Sequence, residues 1–202
     1  MEKKHVISIA GDLASGKGTV STILAERLNY GVYRNGEYFR KLAKEMNMDI
    51  TTFNKYAEEH QEIDRMVEKS AAEYAKEHDN FIIDARLGWY AVPTSFKVYL
   101  KVDIDVAANR AFNDKKRKET ENFATVEEQK QDMLLRFKLE NERYYEVYGV
   151  RKDDMKNYDI VIDTSNMAPE EVANEIQEQY ENWLNAWKCN NKESLKWIVN
   201  IE

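Results

Sequence analysis

Three of the seven glycines, Gly11, Gly16 and Gly18, lie within eight residues, between an apolar run and a helical pattern. The run His5–Ala10 (HVISIA) is rich in β-branched residues and reads as a strand. Behind the glycines, Val20, Ile23, Leu24 and Leu28 recur at helical spacing. The intervening Gly11-Asp12-Leu13-Ala14-Ser15-Gly16-Lys17-Gly18-Thr19 has the G-x-x-x-x-G-K spacing of a phosphate-binding loop, in the strand-then-helix setting such a loop needs. Glycine lets the backbone curl until its N–H groups converge on phosphate oxygens, and the helix N-terminus adds positive potential. Lys17 can reach β- and γ-phosphates, and Thr19 offers a hydroxyl. The strict pattern has Ser or Thr directly after the lysine; here Gly18 takes that position and Thr19 follows. Composition alone would produce the spacing about two times in a hundred. The competing reading is a glycine-rich turn beside a surface lysine.

Strand-like and helix-like segments alternate along the rest. Tyr30–Tyr33 reads as a second strand, Phe81–Asp84 (FIID) as a buried third, Phe96–Val102 as a fourth and Tyr158–Asp163 (YDIVID) as a fifth. Helices are marked by Phe39, Leu42, Ala43 and Met46, by a short segment from Thr51, by Ile63, Met66, Val67 and Tyr74, and by Val106 to Ala111. After the charged stretch Asn113–Asn122, Thr125 and Glu128 form a capping box for a long helix through Leu134, Phe137 and Tyr144. Pro169 opens the last helix, whose apolar stripe runs Val172, Ile176, Tyr180, Trp183, Leu184 and Trp187. A polar tail follows Lys188, except for a Leu195–Ile201 cluster that pattern does not place. Such alternation implies an α/β protein, a parallel sheet with helices on both faces. No repeat or linker divides the 202 residues, so one domain over 1–188 is expected, with 189–202 as a tail.

Composition limits the partners. Lys plus Arg number 30 against 37 Asp plus Glu, a net charge of −7. An acidic chain is a poor sequence-independent ligand for nucleic acid, although a local basic cleft for a small anion is allowed. Cys189 is the one cysteine, so no internal disulfide is possible and a reducing cytoplasm is expected. No apolar run is long enough to span a membrane, and the polar Met1–His5 carries no signal-peptide pattern. His5, His60 and His78 lack ligand spacing, so no histidine metal site is expected.

The Gly16-Lys17-Gly18-Thr19 form resembles the nucleoside monophosphate kinases. Further motifs, in order, resemble one branch of them, the cytidylate kinases of archaeal type: Gly36-Glu37-Tyr38-Phe39-Arg40, Glu62-Ile63-Asp64-Arg65, Asp84-Ala85-Arg86-Leu87-Gly88-Trp89, Arg136 with Arg143-Tyr144, Tyr148-Gly149-Val150, and Tyr158 through Ser165. The resemblance runs from about Val6 to Trp183. It implies a three-layer P-loop kinase fold with five parallel strands in the order 2-3-1-4-5 and a helical lid. It also implies ATP with Mg²⁺, and transfer of phosphate to CMP or dCMP by a monomer. The acceptor-binding region would cover about 35–76 and the lid about 113–143. The family usually has Gly-Pro-Pro-Gly-Ser-Gly-Lys in the loop, where this chain has Asp12, Leu13 and Ala14. An aspartate beside phosphate is tolerable only with its side chain turned away.

Transfer between two nucleotides gathers many negative charges, and the acceptor is already a phosphate oxygen. Catalysis is then alignment, charge neutralisation and exclusion of water, with no general base. Arginines from several segments should converge, because the planar fork binds phosphate in bidentate fashion. The chain has ten arginines against twenty lysines, so a placed arginine is informative. Arg86 lies just past the third strand, at the carboxyl end where open α/β sheets bind ligands. Lys17, Arg86, Arg136 and Arg143 are the candidates for the transferring group. Arg136 and Arg143, seven apart, share a helical face; an ion pair with Glu140 is their alternative. Arg40, Asp64, Arg65 and Arg86 are the acceptor-side candidates, and Gly11 to Thr19 with Arg110, which could stack on adenine, the ATP-side set. Thr19 and, through water, Asp84 are candidates for Mg²⁺; Asp84 could instead cap a turn. A kinase for another nucleotide or small metabolite, or a degenerate nucleotide-binding regulatory module, stays open at this point.

Overall fold

The computed structural model describes residues 5–48, 50–114 and 123–198. Most of the charged Asn113–Asn122 stretch and the end of the Leu195–Ile201 cluster lie outside them. Strand β1 (Val6–Gly11) enters the phosphate loop, which opens α1 (Lys17–Leu28). Next come β2 (Gly31–Arg34), α2 (Asn35–Glu45), α3 (Ile50–Glu59) and α4 (Gln61–Glu77). β3 (Phe81–Asp84), the one-turn α5 (Gly88–Ala91), β4 (Phe96–Lys101) and α6 (Ile104–Asn113) follow. α7 (Val126–Tyr148), β5 (Ile160–Asp163) and α8 (Pro169–Ile198) complete the described chain.

The five strands form one parallel sheet in the order β2-β3-β1-β4-β5. β1 is central, pairing Val6–Ile9 with Phe81–Asp84 and Ile7–Gly11 with Phe96–Leu100. Both its faces are buried, so it reads as a continuous apolar run rather than an alternating one. Ile7 and Ile9 pack with Leu24 of α1 and Val172, Ile176 and Tyr180 of α8. On the opposite face Val6 joins Phe81, Ile83 and Ala75 of α4, while Ala10 joins Leu87, Trp89, Tyr99 and Tyr144 of α7. The Trp183 ring lies against Phe96 and Tyr180, which accounts for the apolar stripe of α8.

Three local readings shift. β2 is displaced to Gly31–Arg34 because Asn29 turns left-handed (φ 54) at the end of α1 and Gly31 pairs with Phe81. α5 is a helix of four residues, too short to show any periodicity. α8 runs through Lys188 to Ile198 instead of stopping there. The capping box at α7 forms, with Glu128 N–H donating to Thr125 Oγ1 (3.2 Å); Glu128 Oε2, however, accepts from the Ala124 N–H (2.8 Å) one residue upstream of the cap.

Candidate active site

Gly11 ends β1 where a Cβ would lie 2.4 Å from the Leu100 carbonyl oxygen, so the close approach of β4 requires glycine. Gly16 caps α1 in a left-handed conformation (φ 88). Ala14 is also left-handed (φ 59), at one of the three positions where the resembled family has other residues. Between these turns the loop wraps over the start of α1, whose first N–H groups have no intrahelical acceptor. The Ser15 hydroxyl is buried with no hydrogen-bond partner among the described residues. Asp12 turns away, as its charge demands: its carboxylate accepts from Tyr99 OH (2.5 Å) and from the Val102 N–H (3.0 Å).

The loop faces an open cleft shared with Lys17, Thr19, Asp84, Arg110, Ala111 and Asp114. Asp84 ends β3, next to β1 in the sheet; Arg34 at the end of β2 approaches it at 4.0 Å. On the other side of β1, Arg110 donates to the carbonyls of Thr164 (2.8 Å) and Ser165 (3.1 Å). Those bonds fix the guanidinium at the edge of the cleft.

Beyond β3 a charged cluster gathers about one buried carboxylate. Arg86 lies 3.0 Å from Glu140 of α7, and Lys152, itself 3% exposed, bonds the other Glu140 oxygen. Burial would push the Glu140 carboxyl up, but Arg86, Lys152 and Arg136 together hold it down at about 2. Burial lowers Lys152, against the pull of Glu140; Arg86 and Lys17 also disfavour its charge, so Lys17 is within electrostatic reach. Glu140 thus binds neither Arg136 nor Arg143 as its main partner. Arg136 pairs with Asp132 (3.7 Å), and Arg143 Nε lies 2.8 Å from Asp64 Oδ2 on α4, at an angle outside that of a hydrogen bond. Arg40 and Arg65 are exposed on α2 and α4, and Arg65 bears electrostatically on Tyr148. The structure therefore gathers Lys17, Arg86, Arg136, Lys152 and Glu140 in one electrostatic neighbourhood, ties Arg143 to Asp64, and leaves Arg40 and Arg65 outward.

Sequence reasoning missed Lys152 and Glu68. Neither carries a motif; Lys152 sits in a loop, and Glu68 in a charged helix that reads as solvated. Glu140 entered only as the alternative partner for Arg136 and Arg143.

The cytidylate kinase-like family model matches residues 6–166. A protein named cytidylate kinase from Thermoplasma volcanium is 37% identical over 172 residues, 83% of this chain and 86% of the relative. One of the same name from Pyrococcus furiosus is 38% identical over 168 residues, 83% of each chain. Among solved structures, shikimate kinase from Bacteroides thetaiotaomicron superposes with a TM-score of 0.61 at 16% identity, covering 88% of this chain and 98% of the other. That last likeness concerns fold alone.

Proposed function

The chain belongs to the cytidylate kinase-like family, and from that premise we propose that it transfers the γ-phosphoryl group of ATP to CMP or dCMP, giving ADP and CDP or dCDP. The observation that carries this reading is that the phosphate loop follows the carboxyl end of β1 while Arg86, tied to Glu140 and through it to Lys152, follows the carboxyl end of the neighbouring β3, with Lys17 within electrostatic reach of Lys152. A binding module for one nucleotide has use for the loop but none for the second set of cations.

Sheet order supports separate places for the two substrates. Arg110 with the Thr164–Ser165 carbonyls lies on the β4–β5 side, suited to adenine. The region about 35–76 joins β2 to β3 on the other side and suits the acceptor. In the transfer an acceptor phosphate oxygen forms a bond to the γ-phosphorus as the bond to the ADP oxygen breaks, in line. The acceptor oxygen is already ionised, so no base is needed. Loop amides and Lys17 would hold the donor phosphates; Arg86, Arg136 and Arg143 would neutralise the transferring group, Arg143 after leaving Asp64. Arg40, Arg65 and Asp64 would bind the acceptor, the arginines by moving inward. Lys152 fixes Glu140, and Glu140 fixes the direction of Arg86. Closure of the segment about 113–143 would exclude water.

Thr19 and Asp84, on one cleft, suit a Mg²⁺ brought by ATP: a hydroxyl and a carboxylate are hard oxygen donors. No group of three or more His, Cys, Asp or Glu among the described residues could hold a metal alone, so phosphate oxygens would complete its shell. When bound, the ion would offset charge on the phosphates. No helix among the described residues is long and apolar enough to cross a membrane, in keeping with a cytoplasmic enzyme on small substrates.

The test is ADP release with CMP, dCMP, UMP and AMP, against an ATP-only blank. CMP or dCMP should give the highest rate, and no rate above the blank with either would defeat the reading. Lys17→Met should lower kcat about 100-fold or more with little change in melting temperature.

A further inference from the structure

We propose that Glu68 and Asn35 read the acceptor's nucleobase, taking the exocyclic amine and the adjacent ring nitrogen of an aminopyrimidine such as cytosine; this rests on the kinase reading above.

Asn35 is the first residue of α2 and follows directly on the carboxyl end of β2. Glu68 lies on α4 one turn beyond Asp64, and is only 9% exposed. Asn35 Nδ2 donates to Glu68 Oε1 at 3.1 Å. The remaining atoms of the pair, Asn35 Oδ1 and Glu68 Oε2, are both buried with no hydrogen-bond partner among the described residues. Buried polar atoms are normally satisfied, and leaving one bare costs stability. Two bare atoms on bonded neighbours, at the carboxyl end of the sheet and on its acceptor side, mark a place built for a polar ligand edge.

The groups facing Glu68 come from every element around it: Tyr33 of β2, Asn35 of α2, Asp64 of α4, Arg86 after β3, and Tyr144 and Tyr148 of α7. Burial and the neighbouring Asp64 push its carboxyl up to about 8, against Arg86 and the Asn35 hydrogen bond. At neutral pH it is an acid with one proton. Oε1 is the acceptor for Asn35, so Oε2 bears the proton and is a donor. Asn35 Oδ1 is an acceptor.

An acceptor beside a donor is complementary to N4–H₂ and N3 of cytosine. Uracil presents O4 and N3–H in those places, setting acceptor against acceptor and donor against donor. Adenine carries the same amine-and-nitrogen edge on a larger ring system, so AMP belongs among the competitors tested.

The experiment measures kcat and KM for CMP, UMP and AMP between pH 6 and 9, at saturating ATP, on the full chain and three variants. For the wild type, KM for CMP should rise as pH passes about 8, while KM for ATP stays level. Glu68→Gln keeps the donor and the acceptor but cannot ionise, so its KM for CMP should stay within a few-fold and lose the alkaline rise. Glu68→Ala and Asn35→Ala should each raise KM for CMP about tenfold or more, with a smaller change in kcat, and narrow the preference for CMP over UMP. Wild-type turnover of CMP with KM untouched in both alanine variants, or an alkaline rise persisting in Glu68→Gln, overturns this proposal alone. A wild type that gives no turnover with CMP overturns the kinase reading and this proposal together. Should an alanine variant fail to fold, Glu68→Gln still decides, because it retains the hydrogen bonds.

Discussion

Asp12 puts a negative side chain in a loop with the spacing of a phosphate-binding loop, and Tyr99 is what makes that tolerable. The Tyr99 ring is 1% exposed on β4, and its hydroxyl, together with the Val102 amide, holds the Asp12 carboxylate off the loop. Burial and the adjacent Asp12 raise the Tyr99 hydroxyl far above its ordinary range, so it remains a donor at any working pH. Tyr99→Phe removes one of two donors to a half-buried carboxylate. It should cost about 1–2 kcal/mol in denaturant unfolding. It should also raise KM for ATP and leave KM for CMP alone, because the released carboxylate would swing toward donor phosphates. An unchanged KM for ATP would mean that the pair is purely structural. Ala14 is the companion case: it holds a left-handed backbone without glycine's freedom, a local strain in the loop.

At the level of elements, α7 does most to assemble the site. It packs on α6 through Met133, Ala107, Ala108 and Ala111, on the sheet through Tyr144, and reaches α4 through Arg143 and Asp64. It also delivers Glu140, the hub of the cationic cluster. Because the folded pKa of Glu140 is depressed to about 2, its stabilising effect is present above the ordinary value of 4.5 and is lost as pH falls toward 2. Glu140→Gln should therefore flatten the loss of stability between about pH 5 and 3 in urea titrations. At neutral pH it should be less stable by about 3 kcal/mol, since a buried lysine loses its counterion. A wild-type acid limb surviving intact in this variant would rule out Glu140 as its source. The sequence placed α7 correctly and marked its cap, yet Lys152 and Glu68 stayed hidden. Glu68 stands beside Lys69 in a charged helix and reads as part of a solvated face; its burial depends on which helix comes to lie over it.

For the molecule as a whole, β1 lies between β3 and β4, and the proposed function puts the ATP on the β4–β5 side and the acceptor on the β2–β3 side. Each substrate should then stabilise the fold separately. At a hundred times Kd a ligand adds about 2.7 kcal/mol, or roughly 5–10 °C in Tm for a chain of this size. Differential scanning fluorimetry should show a rise with a non-hydrolysable ATP analogue, another with CMP, and a larger one with both. A CMP shift abolished by the ATP analogue would instead mean a shared site. What could be read in the amino-acid order was short-range: the strand–loop–helix of the phosphate site, the buried strands, the cap of α7, and Arg86 two residues past a strand end. These depend on neighbours within a few positions, where backbone conformation and hydrophobic period are legible. The strand order came from family resemblance, not from periodicity. The resemblance marks Asp64 as an acceptor-side candidate, but the meeting of Glu140 with Arg86 and Lys152 and the burial of Glu68 came from neither. Whether a carboxylate or ammonium is buried, and which partner meets it, depends on elements far apart in the chain, 79 residues for Arg143–Asp64 and 54 for Arg86–Glu140, and a linear pattern holds no record of such a meeting.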